Sequence, residues 1–568
     1  MKPSRRDALV ALAGLPALVA LGGAAARCGK KPARGLAFEG EIVGGSSALG
    51  HRLRTGELLA RPVVRRERVS TAILGAGVSG LSAAWTLSRA GDDDFKLFEL
   101  ESEAGGNARS GRNAASQYPW GAHYVPVPVA PNRALETLLE QAGALVGRRP
   151  DGRPQWSETA LCAEPQERLF FRGTWSEGLF PRAAASADEL AQLARFEQQM
   201  RRFAAGRDET GRRLFTLPSR LSSVDPSVTG LDRISMHDWL LKNQFTAPHL
   251  RWFVEYGCRD DFGSSLKQTS AWAGIHYFAA RLPGTAAREG IGEAGTHDDP
   301  DEPAPFLTWP EGNARLVSEL ARAAAGRIVA NALVFDIEPR EEGRRVLTLR
   351  YLDAARDEVV AVEAEAVVFA LPKFMARGLI ASWREAPPKF LEAFEYVPWL
   401  VANLTLTGRP LERGYPLSWD NVIYDSSSLG YVVATHQGGA DRGPTVLTYY
   451  RPFAGEDARA ARRKLESATW SEMALAALAD LSTAHRDLPG LVSRIDVYRW
   501  GHAMARPAPG FFLSADRVAA GRSFRGVHFA HTDLSGLPLF EEAQDSGVRA
   551  AEAILTERAR PFTSLLQT

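Results

Sequence analysis

The feature that most constrains the fold of this chain is a glycine-rich stretch around residue 75. A short apolar run at 71–74 ends at Gly75-Ala-Gly77-Val-Ser79-Gly80, and a helical pattern follows over 81–90. This order predicts a strand, a tight turn and a helix. The first glycine permits the turn, the second lets the backbone approach a pyrophosphate, and the third lets helix and strand pack closely. The stretch therefore predicts a site for the diphosphate of a dinucleotide.

A second apolar run supports the dinucleotide interpretation. Residues 95–98 predict another strand, and Glu99 ends it, about 20 residues beyond the glycines, where a carboxylate can accept hydrogen bonds from the adenosine ribose. Glycine-rich turns are common, so an ordinary β-α-β crossover without a ligand is the alternative. The strand and helix that flank the turn favour the ligand site.

The residues after Glu99 indicate which dinucleotide binds. The sequence Glu103-Ala-Gly105-Gly106-Asn107-Ala-Arg109-Ser resembles the second glycine motif of the flavin-containing amine oxidase family, which includes monoamine and polyamine oxidases and, more remotely, phytoene desaturases. The resemblance implies that the two glycines and Arg109 meet the pyrophosphate of FAD. Asn107 stands where the family usually has arginine. The implied cofactor is FAD rather than NAD.

A C-terminal stretch resembles the closing element of the same family. Residues 526–533 read as its last strand with an acidic residue, Asp533, in place of the usual glutamate, and a helical pattern follows Pro538. The resemblance implies that Asp533 meets the ribityl or pyrophosphate group. It also implies that the N-terminus of the helix, with Phe540, Glu541 and Ala543, points at the flavin pyrimidine, where it can stabilise negative charge.

Two further segments are implied to touch the cofactor. The loop residues Gly121, Ala122, His123 and Tyr124 match a family segment that passes near the flavin ring, with a packed surface loop as the alternative. Val334, in an apolar strand at 327–337, is expected beside the adenine through its backbone.

These motifs predict an α/β fold: a Rossmann-like FAD-binding domain of the glutathione-reductase type with an inserted α+β substrate domain. The FAD-binding domain is expected over 69–134, 305–384 and 495–557, and the substrate or cap domain over 135–304 and 385–494. Residues 135–256 predict mainly helices, and 385–494 predict an aromatic-rich sheet. Residues 27–68 are expected to form an arm across the catalytic body, and 558–568 a tail.

The catalytic residues are less clear from sequence. The family's lysine should fall within 400–403, which contain none, and Leu539 stands where the family has a tyrosine. Trp500 and His502 are the best local substitutes, as an aromatic wall and a titratable group. His276, one helical turn after Trp272, is a third candidate. For each histidine a structural role is the alternative.

Composition and the N-terminus set the remaining expectations. The 568 residues, 45% hydrophobic, can bury a large core, and 68 basic against 67 acidic residues give no sign of a nucleic-acid partner. Three cysteines have no metal-ligand or disulfide spacing, so no metal is expected.

The leader predicts export. Ser4-Arg5-Arg6 precedes a small-residue apolar stretch that closes on Ala24-Ala-Ala26, and this resembles a twin-arginine signal. We expect the export machinery as a partner, cleavage near Ala26, a periplasmic mature protein and no stable membrane span after cleavage. A retained anchor or lipidation at Cys28 are the alternatives.

Three functional hypotheses follow. The first is an exported FAD-dependent oxidase or dehydrogenase that takes hydride from a small amine-type substrate, with O₂ or another acceptor. The second is an NAD(P)-linked dehydrogenase. The third is an FAD protein that either acts like a desaturase on an apolar substrate or keeps the cofactor without catalysis.

Overall fold

Two sheets organise residues 38–282 and 306–566, which the computed structural model of the protein describes. The leader at 1–26 and Cys28 lie outside the described residues. The strands of the described residues are β1 (Val63–Leu74), β2 (Phe95–Phe98), β3 (Ser110–Arg112), β4 (Gln117–Pro119), β5 (Tyr124–Pro126), β6 (Leu145–Arg148), β7 (Pro154–Trp156), β8 (Glu167–Phe171), β9 (Thr174–Glu177), β10 (Phe306–Thr308), β11 (Ile328–Val329), β12 (Ala332–Glu338), β13 (Leu347–Asp353), β14 (Glu358–Phe369), β15 (Tyr396–Leu406), β16 (Asp420–Ile423), β17 (Tyr431–Val433), β18 (Thr445–Pro452), β19 (Val492–Ala505) and β20 (Val527–Phe529).

Helices cover the faces of the sheets. In the same described ranges they are α1 (Ser47–His51), α2 (Val78–Arg89), α3 (Arg133–Gln141), α4 (Ala187–Ala205), α5 (Pro226–Thr229), α6 (Met236–Lys242), α7 (Pro248–Phe262), α8 (Ala271–Ala279), α9 (Ala314–Ala323), α10 (Ala376–Leu379), α11 (Ala381–Glu385), α12 (Ala458–Ser467), α13 (Trp470–Ser482), α14 (Leu488–Leu491), α15 (Ala515–Ala520) and α16 (Phe540–Glu557).

The first sheet has the order β11-β2-β1-β14-β13-β12, with β20 paired to β14. Strands β11, β2, β1, β14 and β20 run parallel to their neighbours, while β12 and β13 are antiparallel additions. Helices α2 and α16 pack against each other at this sheet. The glycine turn thus lies at the carboxyl end of a central parallel strand, where such sheets bind ligands. The predicted Rossmann-like α/β fold is confirmed.

Strand β1 is longer than the sequence suggested. It begins at Val63 rather than near residue 71, so residues 63–68, expected in the arm, belong to the Rossmann-like sheet. The charged run Arg65-Arg66-Glu67-Arg68 hid this extension, because these side chains point to solvent or are only half-buried. The backbone ladder with β14 holds them in a strand despite their polarity.

The second sheet has the order β19-β15-β18-β17-β16-β8-β9. Its strands β8 and β9 come from residues 167–177, so the expectation of mainly helical structure over 135–256 is wrong there. Each is short, and β8 is held by parallel pairing with the distant β16, a partner that local sequence patterns do not reveal. Helices α4, α6, α7 and α8 cover this sheet and bury the largest aromatic cluster.

Two findings concern the described residues as a whole. Cys162 and Cys258 are buried free thiols. Within 38–282 and 306–566, no helix has the length and hydropathy needed to cross a membrane.

Candidate functional site

The predicted diphosphate turn has the geometry its glycines require. Gly75 has φ +92°, which favours glycine, and a Cβ on Gly80 would lie 1.9 Å from the Gly75 carbonyl oxygen. Gly77 occupies the N-cap of α2, and among the described residues no side chain caps this helix. The N–H groups of its first turn therefore face a space free of side-chain caps, at the positive end of the helix dipole.

The second glycine motif closes onto the first. Gly105 N donates to the Ala76 carbonyl at 2.7 Å, and a Cβ on Gly106 would lie 3.1 Å from Gly77 Cα. Gly105 and Gly106 have φ +128° and +54°. The two motifs form one cradle of bare backbone, called the glycine cradle below. Its uncapped helix end and close backbone approach fit the diphosphate of a dinucleotide such as FAD.

Glu99 lies beside the glycine cradle at the end of β2. Its Oε2 accepts a hydrogen bond from Ala76 N at 2.7 Å, and its Oε1 accepts one from Glu101 N at 3.0 Å. Burial raises the pKa of the Glu99 carboxyl, and the two backbone donors oppose that shift. The residue is therefore fixed where a ribose-binding carboxylate is expected.

Asn107 and Arg109 tie the glycine cradle to β19. Asn107 Nδ2 donates to the Ala503 carbonyl at 2.8 Å, and Arg109 donates to the Tyr498 hydroxyl and, through Nε, to the Gly106 carbonyl at 3.3 Å. These contacts hold the guanidinium next to the cradle. Direct contact of Arg109 with a pyrophosphate stays a prediction.

Asp533 has protein partners that the sequence did not predict. Its Oδ2 accepts from Lys373 N at 2.7 Å and from the Tyr396 hydroxyl at 2.5 Å, and Oδ1 lies 2.8 Å from His531 Nδ1. Burial raises the pKa of this carboxyl, but His531 and the other donors outweigh burial and leave it lowered. The carboxylate is fully buried, and its expected direct contact with the cofactor stays a prediction. Its hydrogen bonds tie the final loop to Lys373, just after β14, and to Tyr396 on β15.

A cavity of about 140 Å³ lies between the glycine cradle, the N-terminus of α16 and the second sheet. It brings together many residues that the sequence singled out, namely Asn107, Gly121, Ala122, His123, Tyr124, Trp500, Phe540 and Glu541. Ala543 is buried one turn further along α16, and Ser79 Oγ lies 3.2 Å from Ser546 Oγ on the same helix. The N-terminus of α16, whose N-cap is Leu539, therefore faces this cavity.

The cavity wall also contains residues that sequence reasoning missed. Trp399 on β15 is paired in register with Trp500 on β19, so two indoles line the cavity together. Tyr256, Tyr450 and the carboxyl groups of Asp260 and Asp420 line it as well. Helix α7 and strand β16 bring the two carboxyl groups together, and no local pattern links these distant segments.

The two carboxyl groups sit in an unusual electrostatic environment. Asp260 accepts hydrogen bonds from Tyr124 at 3.2 Å and Tyr277 at 3.4 Å, and Asp420 accepts one from Tyr256 at 3.0 Å. Burial, and then a neighbouring carboxyl, raise the pKa of each to about 7. The nearby Arg281 is already committed to Asp261, with contacts of 2.7 and 2.8 Å. The pair therefore offers negative charge to a positively charged group.

His123 presents one ring nitrogen to this cavity. Its Nδ1 lies 3.1 Å from the Gly121 carbonyl, which only accepts hydrogen bonds, so Nδ1 carries the proton and Nε2 the lone pair. The ring stacks on Tyr450 with centroids 4.7 Å apart. Burial lowers the pKa of His123 to about 4, so the ring is neutral near pH 7.

The three catalytic candidates are placed differently. Trp500 lines the cavity and donates its Nε1–H to the Trp120 carbonyl at 2.7 Å. His502 does not line it and stacks on Phe374 at 4.2 Å. His276 is buried in α8, away from the cavity, with Nε2 3.0 Å from the Thr216 carbonyl. Burial lowers the pKa of both histidines to about 3, and the positions support structural roles for them.

The last two expectations concern the position of Val334 and metal binding. Val334 lies in β12 next to an irregularity in its pairing with β13, and its place beside an adenine stays a prediction. Over the described residues, no group of three or more His, Cys, Asp or Glu side chains is arranged to hold a metal ion.

This chain is similar to known proteins in one domain and in its overall fold. Residues 73–142 match the family model of the NAD(P)-binding Rossmann-like domain. The chain contains such a domain. Putrescine oxidase bound to putrescine is similar in structure, with 16% identity, a TM-score of 0.61 and coverage of 86% of this chain and 100% of that one. None of the curated proteins matches the chain significantly.

Two further solved structures share the fold. Cyclohexylamine oxidase from Brevibacterium oxydans IH-35A has 17% identity and a TM-score of 0.60, and covers 87% of this chain and 100% of its own. A fatty acid isomerase from P. acnes that produces CLA has 14% identity and a TM-score of 0.57, and covers 86% and 98%. The shared fold therefore accommodates different substrates, and the substrate must be argued from the cavity.

The raised pKa of Asp420 leads to a pH-dependent stability. The pKa of the Asp420 carboxyl is about 7 in the folded protein and 3.8 for an ordinary aspartate, so the unfolded chain loses this proton first as pH rises. Wild-type stability should therefore fall between about pH 4 and 7, by up to roughly 1.4 kcal/mol per pH unit for this group. Asp420→Asn lacks this loss, so its stability advantage over wild type should grow across that range in urea unfolding.

The exposed Asp425 provides a matched control five residues away. Asp425→Asn should follow the wild-type pH profile. A difference between Asp420→Asn and wild type that stays constant from pH 4.5 to 8 would show that the Asp420 carboxyl does not titrate as described.

Proposed function

We propose that this protein is an FAD-dependent oxidoreductase that oxidises a small amine-type substrate by hydride transfer to the flavin. The observation that carries the proposal is the pair of half-buried, desolvated carboxyl groups, Asp260 and Asp420, in an aromatic cavity that reaches the N-terminus of α16. A site for a purely apolar substrate would have no use for two desolvated carboxyl groups.

The cofactor part rests on this chain's own residues. The glycine cradle fits a diphosphate, Glu99 stands at the ribose position, and the end of α16 faces the cavity beside Asn107 and Ala122. When bound, FAD supplies the acceptor for a hydride equivalent. The positive end of α16 would stabilise negative charge close to it.

The substrate part rests on charge and shape. Asp260 and Asp420 attract a cationic amine, and its arrival favours their ionised forms, since an opposite charge lowers the pKa of a carboxyl. Loss of hydride from the substrate carbon requires the neutral amine, so the bound ammonium must give up one proton, which Asp260 or Asp420, with pKa values raised to about 7, can accept. The indoles of Trp399 and Trp500 exclude water, which favours the neutral amine. The lone pair of His123 Nε2 can accept a hydrogen bond from the amine. The likeness in fold to putrescine oxidase and cyclohexylamine oxidase supports the same substrate class.

We also propose export by the twin-arginine route to the periplasm, and division into an FAD-binding domain that begins with β1 at Val63 and a substrate domain whose sheet includes β19. The leader motif Ser4-Arg5-Arg6 supports export. Cell fractionation should recover the wild type in the periplasm and the variant with Arg5→Lys and Arg6→Lys in the cytoplasm. Equal distribution of both would refute the route.

The purified protein should absorb near 450 nm, and an amine should bleach that absorption under anaerobic conditions because electrons pass to the flavin. The panel comprises mono-, di- and polyamines, amino acids and an unsaturated fatty acid as the apolar comparison. Bleaching by the fatty acid alone would favour the desaturase-like function, bleaching by none a non-catalytic one. A colourless protein that binds NAD(P) would refute FAD.

Neutralising Asp420 should weaken amine binding specifically. Loss of a charge-assisted hydrogen bond costs about 1.5–3 kcal/mol, so Asp420→Asn should raise the Kd of the reducing amine roughly 10- to 100-fold. The measurement is titration of the flavin spectrum, and Asp425→Asn should bind as the wild type does. Equal affinities of both variants for the amine would show that Asp420 does not take part in substrate recognition.

A further inference from the structure

Residues 38–54, called the strap, precede the Rossmann-like domain and lie at its dinucleotide site. The strap contains α1 and a 3₁₀ turn at Arg52–Arg54. It contacts two different parts of the fold, the turn after β2 and strand β19, and hydrogen bonds tie these parts to Ala76 and Arg109 of the two glycine motifs.

On one side the strap is attached to the ribose turn. Ser46 donates from its backbone N at 2.9 Å and from Oγ at 3.0 Å to the Glu101 carboxylate. Glu101 N in turn donates to Glu99 Oε1. Leu49 and Leu53 of the strap pack, as Leu100 of the turn does, against one apolar cluster that includes Leu58. The strap therefore sits directly on the turn that carries the ribose-binding carboxylate.

On the other side the strap is attached to β19. Its backbone pairs with that strand through Glu39 with Arg494 and Ile42 with Val497. Gly44 lies so close to the Tyr498 ring that a Cβ there would be 1.9 Å from it. Beyond this strand, His51 Nδ1 is 3.8 Å from a carboxylate oxygen of Glu466 on α12.

Tyr498 connects the strap with both parts of the site. Its hydroxyl accepts a hydrogen bond from Arg109, which follows the second glycine motif, and its ring stacks on Trp500 with centroids 4.0 Å apart. Trp500 lines the substrate cavity. A displaced Tyr498 would therefore disturb the cofactor side and the aromatic wall together.

We propose that the strap closes over bound FAD and retains it, so that the cofactor enters before the strap docks. The inference rests on the proposed FAD binding and adds the element that controls cofactor release. The ligand class is an adenine dinucleotide, held at its ribose and pyrophosphate between the Glu99–Glu101 turn and Arg109.

Two neighbouring glycines allow a matched test. Gly44 and Gly45 have φ +65° and +64°, so alanine suffers the same backbone strain at both. A Cβ on Gly44 meets the Tyr498 ring, whereas among the described residues nothing lies within 4 Å of a Cβ on Gly45. Gly44→Ala should thus release FAD at least tenfold faster than Gly45→Ala, measured as the rise of free-FAD fluorescence after dilution. Equal release rates would overturn the proposal.

Proteolysis of the wild type gives a second measurement that needs no folded variant. Trypsin should cut after Arg52 or Arg54 at least fivefold more slowly in the FAD-loaded protein than after removal of FAD, because a docked strap must detach to be cleaved. Equal cleavage rates with and without FAD, in a protein shown to bind flavin, would overturn the proposed role of the strap. A protein that never holds flavin would instead refute the proposed function and this inference with it.

Discussion

The contact between two backbone segments, Gly77 with Gly106, determines where everything else in this site can lie. A Cβ on Gly106 would approach Gly77 Cα to 3.1 Å, and Gly105 N is bonded to the Ala76 carbonyl. Side chains on these residues would fill the space in which a diphosphate needs bare N–H groups. The parallel pairing of β1 with β2 and β14 places this contact at the edge of the sheet where α16 also begins.

The second sheet supplies the aromatic and acidic wall of the cavity. It brings Trp399, Trp500 and Asp420 to the far side of the cavity, while α7 contributes Asp260. Burying two carboxyl groups next to aromatic rings is unfavourable for folding in the absence of a cation, as their raised pKa values show. Such a cost is typical of sites in which a ligand provides the missing charge.

The Rossmann-like part of the fold could be predicted from local motifs, because a glycine turn between a strand and a helix is defined by adjacent residues. The strand at Phe95–Phe98, the turn at Gly75 and the helix after Leu539 are found where the motifs placed them. Asp260 and Asp420 were missed because their meeting depends on the packing of α7 against β16. The strand at Glu167–Phe171 was missed since its partner lies far along the chain. The hydrogen bonds that Tyr396 and Lys373 donate to Asp533 were not predicted either, because only the tertiary fold brings these residues near it.

In the proposed function, the two glycine motifs and the end of α16 hold one FAD molecule. Native mass spectrometry of the purified full-length protein tests this most directly, whether or not the cofactor is covalently attached. We expect a population carrying the mass of a single FAD per chain, and replacement of Gly106 by valine should abolish it in the folded protein. A folded wild-type protein without bound dinucleotide, or with NAD(P) in place of FAD, would contradict FAD binding at this site.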